Sequence, residues 1–313
     1  MMKLAIVVPC FNEEEVLVET NRRLTQLVEN LIGSAKINPD SIIYYVDDGS
    51  TDRTWDIIAE LSEKQNCVEG IKLSRNVGHQ RALLAGLLTA EGEALVSIDA
   101  DLQDDVSLIE QMVDDFNERK AQIVYGVRRQ RKSDSFFKRT TASLFYKLLR
   151  LMGGQIIEHH ADFRLMGRPA IEGLREFSEV NLFLRGIIPL IGFKSSIVHY
   201  DRTARFAGTS KYPFKKMLAL ALDGITSFSI VPLRMITVLG FFVFLISSLM
   251  GIWVLINALL TDAMVPGWAS TILPIYFLGG IQVLCIGVLG EYIGKIYNET
   301  KQRPRYFIEK RTN

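Results

Sequence analysis

Two aspartates set two residues apart, Asp99 and Asp101, stand in the run Ser97-Ile98-Asp99-Ala100-Asp101-Leu102-Gln103-Asp104, which closes the apolar stretch Ala94–Ile98. Carboxylates at this spacing beside a strand end can bracket a divalent ion. Hard oxygen donors suit magnesium or manganese that is also held by substrate phosphates, and such an ion would stabilise charge on a departing diphosphate. Taken alone, the same run could be a solvated acidic turn leading into a helix, with Asp104 and Asp105 serving as caps. Two other apolar stretches end in comparable runs: Val8-Pro9-Cys10-Phe11-Asn12-Glu13-Glu14 and Val46-Asp47-Asp48-Gly49-Ser50-Thr51-Asp52. Carboxylates there can accept from the NH of a pyrimidine or from ribose hydroxyls, and Gly49 permits a tight turn. Each run alone is an ordinary strand-to-helix junction; the three in this order along one sheet are specific.

The elements that must position these groups follow from periodicity. Up to about residue 130, short apolar runs alternate with amphipathic stretches, as repeated βα units of a doubly wound, mostly parallel sheet require. Strands are predicted at Leu4–Val8, Ile42–Val46, Gly70–Leu73, Ala94–Ile98 and Ile123–Tyr125. Helices are predicted at Glu13–Leu31, Asp52–Lys64, Gly78–Leu88 and Ser107–Arg119, with Asp52 and Ser107 suited to cap theirs. Ligands of such sheets sit at the carboxyl ends of the strands, where all three polar runs fall.

The last quarter of the chain changes character. Residues 235–260 are 26 in a row without a charged side chain, enough to cross a hydrocarbon core of about 30 Å. A second uncharged stretch runs from Ala263 to Gly290, interrupted by Pro266 and Pro274. A transmembrane hairpin is predicted, with spans at about 235–260 and 268–290 inside a segment 232–294. Arg234 precedes the first span and Lys295, Lys301, Arg303 and Arg305 follow the second, while the loop around Asp262 carries no basic residue. The positive-inside rule then puts both ends in the cytoplasm, the catalytic domain (residues 1–212) and the tail (residues 295–313) alike. Between the catalytic domain and the hairpin, residues 213–231 read as an amphipathic helix at the membrane interface or as an ordinary packed helix. Phe136–Met152 interleaves basic and apolar residues in the same way.

Of the 313 residues, 48% are hydrophobic and the formal net charge is +1, which gives no argument for a nucleic-acid-coating protein. Cys10, Cys67 and Cys285 are odd in number and lack metal-ligand spacing, so they read as reduced, structural thiols of a cytosolic protein. Met1–Pro9 is too short an apolar run for a signal peptide. Six basic residues, Arg128, Arg129, Arg131, Lys132, Lys138 and Arg139, fall within twelve positions, and Arg202, Arg205, Lys211, Lys215 and Lys216 precede the hairpin. They suit anionic lipid headgroups, at about 1 kcal/mol each, or direct contacts to phosphate.

The chain resembles glycosyltransferase family 2, and within it the polyprenyl-phosphate sugar transferases: dolichol-phosphate mannose synthases and bactoprenol glucosyltransferases. The resemblance is carried by Val8-Pro9-Cys10-Phe11-Asn12-Glu13, Asp47-Asp48-Gly49-Ser50, Arg75-Asn76-Val77-Gly78, Asp99 to Asp104, Asp162-Phe163-Arg164-Leu165-Met166 and Leu289-Gly290-Glu291-Tyr292-Ile293-Gly294. It implies a nucleotide-sugar-binding catalytic domain of the GT-A type, anchored in a bacterial plasma membrane. It further implies that Pro9, Phe11, Glu13, Val46 and Asp48 line base and ribose, joined by Asp99, Ala100 and Asp101, and that Asp99, Asp101 and Gln103 surround a magnesium or manganese ion. Arg128, Lys138, Arg205 and Lys211 would approach phosphates of donor or acceptor, with Lys138 standing where related synthases carry arginine. The implied donor is UDP-glucose, with GDP-mannose or a modified UDP-sugar open, and the implied acceptor is undecaprenyl phosphate. The Gln-x-x-Arg-Trp motif of processive members is absent, which favours single transfer.

A lipid phosphate is mostly a dianion at neutral pH, its second pKa being near 6. It needs orientation more than a base, and attack on the sugar's C1 should invert it. Asp162 could orient hydroxyls, act as a base, or be a buried aspartate satisfied by Arg164. A nucleotide-sugar pyrophosphorylase would need a glycine-rich N-terminal loop, and Met1–Glu15 has no glycine. A nucleotide-sugar-sensing membrane protein without catalysis is the other class. Gly279, Gly280, Gly287 and Gly290 permit close helix contact within or between subunits, including in a homo-oligomer.

Overall fold

The computed structural model describes residues 1–128, 160–180, 183–201, 231–260 and 268–312. They form two compact units, each described separately: residues up to 201 together with 302–312, and residues 231–301.

In the first unit the five predicted strands are present as β1 (Leu4–Cys10), β2 (Ile42–Asp47), β3 (Val68–Leu73), β4 (Ala94–Ser97) and β5 (Ile123–Arg128). The alternating helices are α1 (Leu17–Gly33), α2 (Thr54–Lys64), α3 (His79–Thr89) and α4 (Leu108–Arg119). Periodicity located these elements but not every end. Helix α1 begins at Leu17, because Glu13 and Glu14 are tied into the preceding turn through their N–H groups, to Thr54 Oγ1 and Asp52 Oδ2. Asp52 is not the N-cap of α2, which is Arg53; it stands one residue earlier and accepts from the Thr54 N–H at 3.0 Å. Ser107 does not cap α4; Asp105 accepts the Ser107 N–H at 2.9 Å instead.

Three further strands were not expected: β6 (His160–Gly167), β7 (Ser195–Tyr200) and β8 (Ile308–Arg311), together with short helices α5 (Arg168–Arg175) and α6 (Leu184–Leu190). Among the described residues the sheet has the order β7-β5-β6-β4-β1-β2-β3-β8. Strands β1 to β5 and β7 run one way; β6 is antiparallel to β4 and β5, and β8 is antiparallel to β3. Leu4, Ile6, Val8, Ile43, Tyr45 and Val96, all buried, form the sheet's side of the core against α1, α2 and α4.

The arrangement fixes where a ligand can sit. Chain order runs outward from β1 through β2 to β3 and then returns to place β4 on β1's other side, so the direction of winding switches between β1 and β4. That is where an open α/β sheet leaves a crevice beyond its carboxyl ends. The three polar runs leave β4, β1 and β2, which are neighbours in that order.

The tail after the hairpin belongs to the same unit. Strand β8 pairs with β3, Thr312 Oγ1 accepts from the Gly70 N–H and pairs with Ser62, and Arg311 meets Glu69 at 2.8 Å. Phe307 O accepts from the Ser74 N–H, and the Arg305 guanidinium donates to Phe177 O.

The second unit consists of α7 (Val231–Leu260) and α8 (Trp268–Thr300), of 30 and 33 residues. At about 1.5 Å per residue each exceeds the hydrocarbon thickness of a bilayer. Helix α8 runs ten residues beyond the expected span, and its segment Phe277–Thr300, with mean hydropathy 1.6, is long and apolar enough to cross a membrane. Large apolar side chains on both helices lie open, among them Phe241, Phe242, Trp253, Phe277, Val283 and Ile286. An exposed apolar surface this extensive calls for a lipid or protein cover.

Candidate active site

At the end of β1, Asn12 adopts left-handed backbone geometry (φ 54°) and its side-chain carbonyl accepts from the Thr51 N–H, so the turns after β1 and β2 are buttoned together. The Phe11 ring is 37% exposed beside them, whereas Val46 is buried in the sheet. Gly49 (φ +65°) has no room for a side chain: a Cβ would stand 2.5 Å from Asn76 N. This close approach brings the segment Arg75-Asn76-Val77-Gly78 onto the β2 turn. Asp48, nearly inaccessible, then accepts from the Val77 and Gly78 N–H groups at 2.7 and 3.0 Å. Its neighbour Asp47 accepts from Ser50 N–H. Burial pushes the pKa of both carboxyls up, and the backbone donors oppose that shift.

At the end of β4 the chain turns through Leu102 (φ 53°), and Asp101 Oδ1 accepts from the Gln103 N–H at 3.2 Å. Helix α1 braces this loop, Thr20 Oγ1 donating to Ala100 O at 2.8 Å. From the other side the Tyr200 hydroxyl donates to Asp104 Oδ1 at 2.6 Å, while the Tyr200 ring packs edge-on against Phe163. Asp99 is 31% exposed. Restricted access to water raises its pKa, His79 opposes the rise, and Asp162, Asp104 and Asp101 add to it. Negative charge is therefore concentrated at this strand end.

Strand β6 starts beside the end of β4, so Asp162 faces the same crevice. Asp162 is 9% exposed and bound on several sides: Arg164 Nη2 at 2.6 Å, Arg185 Nη2 at 3.0 Å and Arg185 Nε at 3.2 Å. His79 Nε2 lies 3.6 Å from Asp162 Oδ2 and 3.5 Å from Asp99 Oδ1. Although burial alone would raise it, the pKa of Asp162 lies well below the carboxylate range, because the neighbouring His79 and the charges of Arg185 and Arg164 favour the anion. For His79 burial opposes the charge, but the adjacent Asp162 and Asp99 carboxylates push its pKa up to about 9. An Asp162 so strongly held as an anion is a poor proton acceptor and a good orienting group.

The structure thus brings Phe11, Asp48, Asp99, Asp101 and Asp162 to the carboxyl ends of the central parallel strands, with Pro9 and Val46 inside the sheet. Lys138, Arg205 and Lys211 lie outside the described residues, as do the Arg128 side chain, the segment 136–152 and nearly all of 213–231. Sequence reasoning missed His79 and Arg185. The signal for His79 was its place directly after Gly78 in the Arg75–Gly78 motif; Arg185, in a short apolar helix, gave none.

Comparison with known proteins places the chain. The model of "Glycosyl transferase family 2" matches residues 5–175, which include all three strand-end runs and Asp162. The chain is a member of glycosyltransferase family 2. A second model, the "GtrB C-terminal hairpin", matches residues 231–296, which hold α7 and most of α8. Among relatives, the bactoprenol glucosyl transferase of Shigella phage SfX is 41% identical, covering 99% of this chain and 100% of its own. The prophage bactoprenol glucosyl transferase homolog of Escherichia coli K12 is 40% identical over 99% of both. An uncharacterized glycosyltransferase of Bacillus subtilis, YkoT, is 55% identical over 98% of this chain and 91% of its own. As a family 2 glycosyltransferase with a membrane-associated hairpin, the protein is an enzyme of sugar transfer, and the expected α/β catalytic domain with appended hairpin is the architecture found.

Proposed function

We propose that this glycosyltransferase moves a single hexose from UDP-glucose to undecaprenyl phosphate at the cytoplasmic face of the membrane, with inversion at C1. The observation that carries the reading is the chain's return after the hairpin: residues 302–312 rejoin the compact unit formed by residues up to 201. Two membrane crossings between residues 201 and 302 would leave both parts of that unit on one side of a bilayer. This agrees with the distribution of lysine and arginine and brings a soluble donor and a lipid acceptor to the same face. The relatives named for bactoprenol glucosyl transfer support the acceptor and sugar. We assign residues 1–212 to the catalytic domain, 213–231 to an interfacial helix, 232–294 to the hairpin and 295–313 to the returning tail.

The donor set at the β4 end fits a hard divalent cation. It is made of oxygens, the Asp99 and Asp101 carboxylates with the Gln103 amide; burial raises the Asp99 pKa first and the neighbouring carboxylates add to it, and a cation would relieve that added charge. Magnesium or manganese bound there would neutralise charge on the leaving diphosphate. Phe11, Glu13 and Asp48 form the nucleotide end above the buried Pro9 and Val46, and Ala100 lies between the two aspartates. Asp162, kept anionic, orients sugar hydroxyls; Arg128, Lys138, Arg205 and Lys211 hold phosphates. One acceptor oxygen bonds to C1 from the face opposite the diphosphate, the C1–O bond to the diphosphate breaks, and no proton need move.

The test uses purified full-length protein in bilayer discs with undecaprenyl phosphate, manganese and, in parallel, labelled UDP-glucose, GDP-mannose and a UDP-aminosugar. Lipid-extractable label from UDP-glucose is expected. Nucleotide binding without lipid-linked label from any donor would overturn the reading in favour of a nucleotide-sugar sensor.

A further inference from the structure

His79 is the one described side chain that stands at ion-pair distance from both Asp99 and Asp162, its Nε2 lying 3.5 Å from one carboxylate and 3.6 Å from the other. Arg164 and Arg185 hold Asp162 from other directions, Arg164 from within the sheet where it has no exposure at all. The imidazole therefore fills the gap between the β4 end and the β6 start, and at 35% exposed it faces the crevice. Its own placement is fixed from a third strand. His79 is the first residue of α3, Gly78 before it has φ +94°, and the Val77 and Gly78 N–H groups are clamped by Asp48 at the end of β2. The motif after β2, the segment 75–79 and the carboxylates after β4 and in β6 are thus one connected train of contacts.

We propose that His79 is a positioning residue for sugar transfer, setting the distance between Asp99, which faces the leaving diphosphate, and Asp162, which faces the sugar. This rests on the roles proposed above for those two aspartates. A histidine suits the task because a rigid ring with an N–H at its tip can stand between two carboxylates at these distances. A displacement of about 1 Å between groups that must act together can cost about 10²-fold in rate, so loss of the bridge should appear in kcat and far less in the KM for donor.

The experiment compares His79→Phe, which keeps the ring's bulk without a donor, and His79→Gln, which keeps an N–H at similar reach, with wild type and Asp101→Ala in bilayer discs. Expected are a fall in kcat of about 10²-fold for His79→Phe, donor KM within about threefold, and partial recovery in His79→Gln. Manganese binding in the presence of UDP, read by electron paramagnetic resonance without acceptor, should be retained or tighter in His79→Phe, and thermal unfolding should remain cooperative. Wild-type kcat in His79→Phe, equal loss in both His79 variants, or manganese binding weakened tenfold would overturn the positioning role. An inactive Asp101→Ala beside a fully active His79→Phe overturns only this inference, whereas an active Asp101→Ala removes the metal site beneath it.

Discussion

The turns after β2 and β4 carry the same chemistry in sequence, two aspartates at the end of a buried strand, yet the fold uses them differently. After β2 Asp48 is consumed by the backbone, its two oxygens accepting from Val77 and Gly78 N–H, while Asp47 accepts from Ser50 N–H through one oxygen and keeps the other buried without a partner among the described residues. After β4, Asp99, whose pKa burial raises as it does those of Asp47 and Asp48, also meets a titratable side chain, His79, and three other carboxylates that add to the rise. A carboxylate saturated by fixed N–H groups builds the wall of a site. A carboxylate crowded by like charge is one that a cation can relieve. The two turns are therefore scaffold and working end of one crevice, and substitutions should separate them.

The largest effect on turnover is expected from Asp101→Ala, which should lower lipid-linked sugar formation by roughly 10²–10³-fold or more, the scale of losing a transition-state charge stabiliser. Thermal unfolding should shift by no more than about 1 kcal/mol equivalent. Asp48→Ala should show the opposite balance. It strands two backbone donors, at about 1–3 kcal/mol each, so stability falls first and donor KM rises with the loosened 75–78 segment. A stable, fully active Asp48→Ala would erase the distinction between the turns. Tyr200→Phe removes the hydroxyl that holds Asp104, a hydrogen bond to a carboxylate worth about 1.5–3 kcal/mol. Its activity should fall by a smaller factor than that of Asp101→Ala and recover in part at saturating manganese, measured as the metal concentration for half-maximal rate. Smallest of all, Arg311→Ala at the exposed edge should cost about 0.2–1 kcal/mol in denaturant unfolding and leave kcat unchanged.

Much of this was legible in the sequence, for reasons tied to locality. Strands β1 to β5 and helices α1 to α4 follow from short-range periodicity, and the three polar runs from their position after apolar strands. Strand β6 was hidden because the charges of Asp162 and Arg164 interrupt its apolar pattern, whereas inside the sheet they neutralise each other at 2.6 Å. The possibility that Arg164 satisfies a buried Asp162 could be stated from sequence; the second arginine, Arg185, and the bridge through His79 could not, since both depend on contacts between residues far apart in the chain. Strand β8 was invisible for the same reason. Ile308-Glu309-Lys310-Arg311 has the composition of a solvated tail, and only its pairing with β3, more than two hundred residues earlier, makes it a strand.

Metal dependence is tested most directly by adding manganese back to metal-stripped, purified protein with labelled UDP-glucose and undecaprenyl phosphate, and extracting the lipid product from wild type and Asp101→Ala. Product that appears only as metal is restored, and only in wild type, is the expected result. Equal product in the presence of chelator, or from Asp101→Ala, would contradict it.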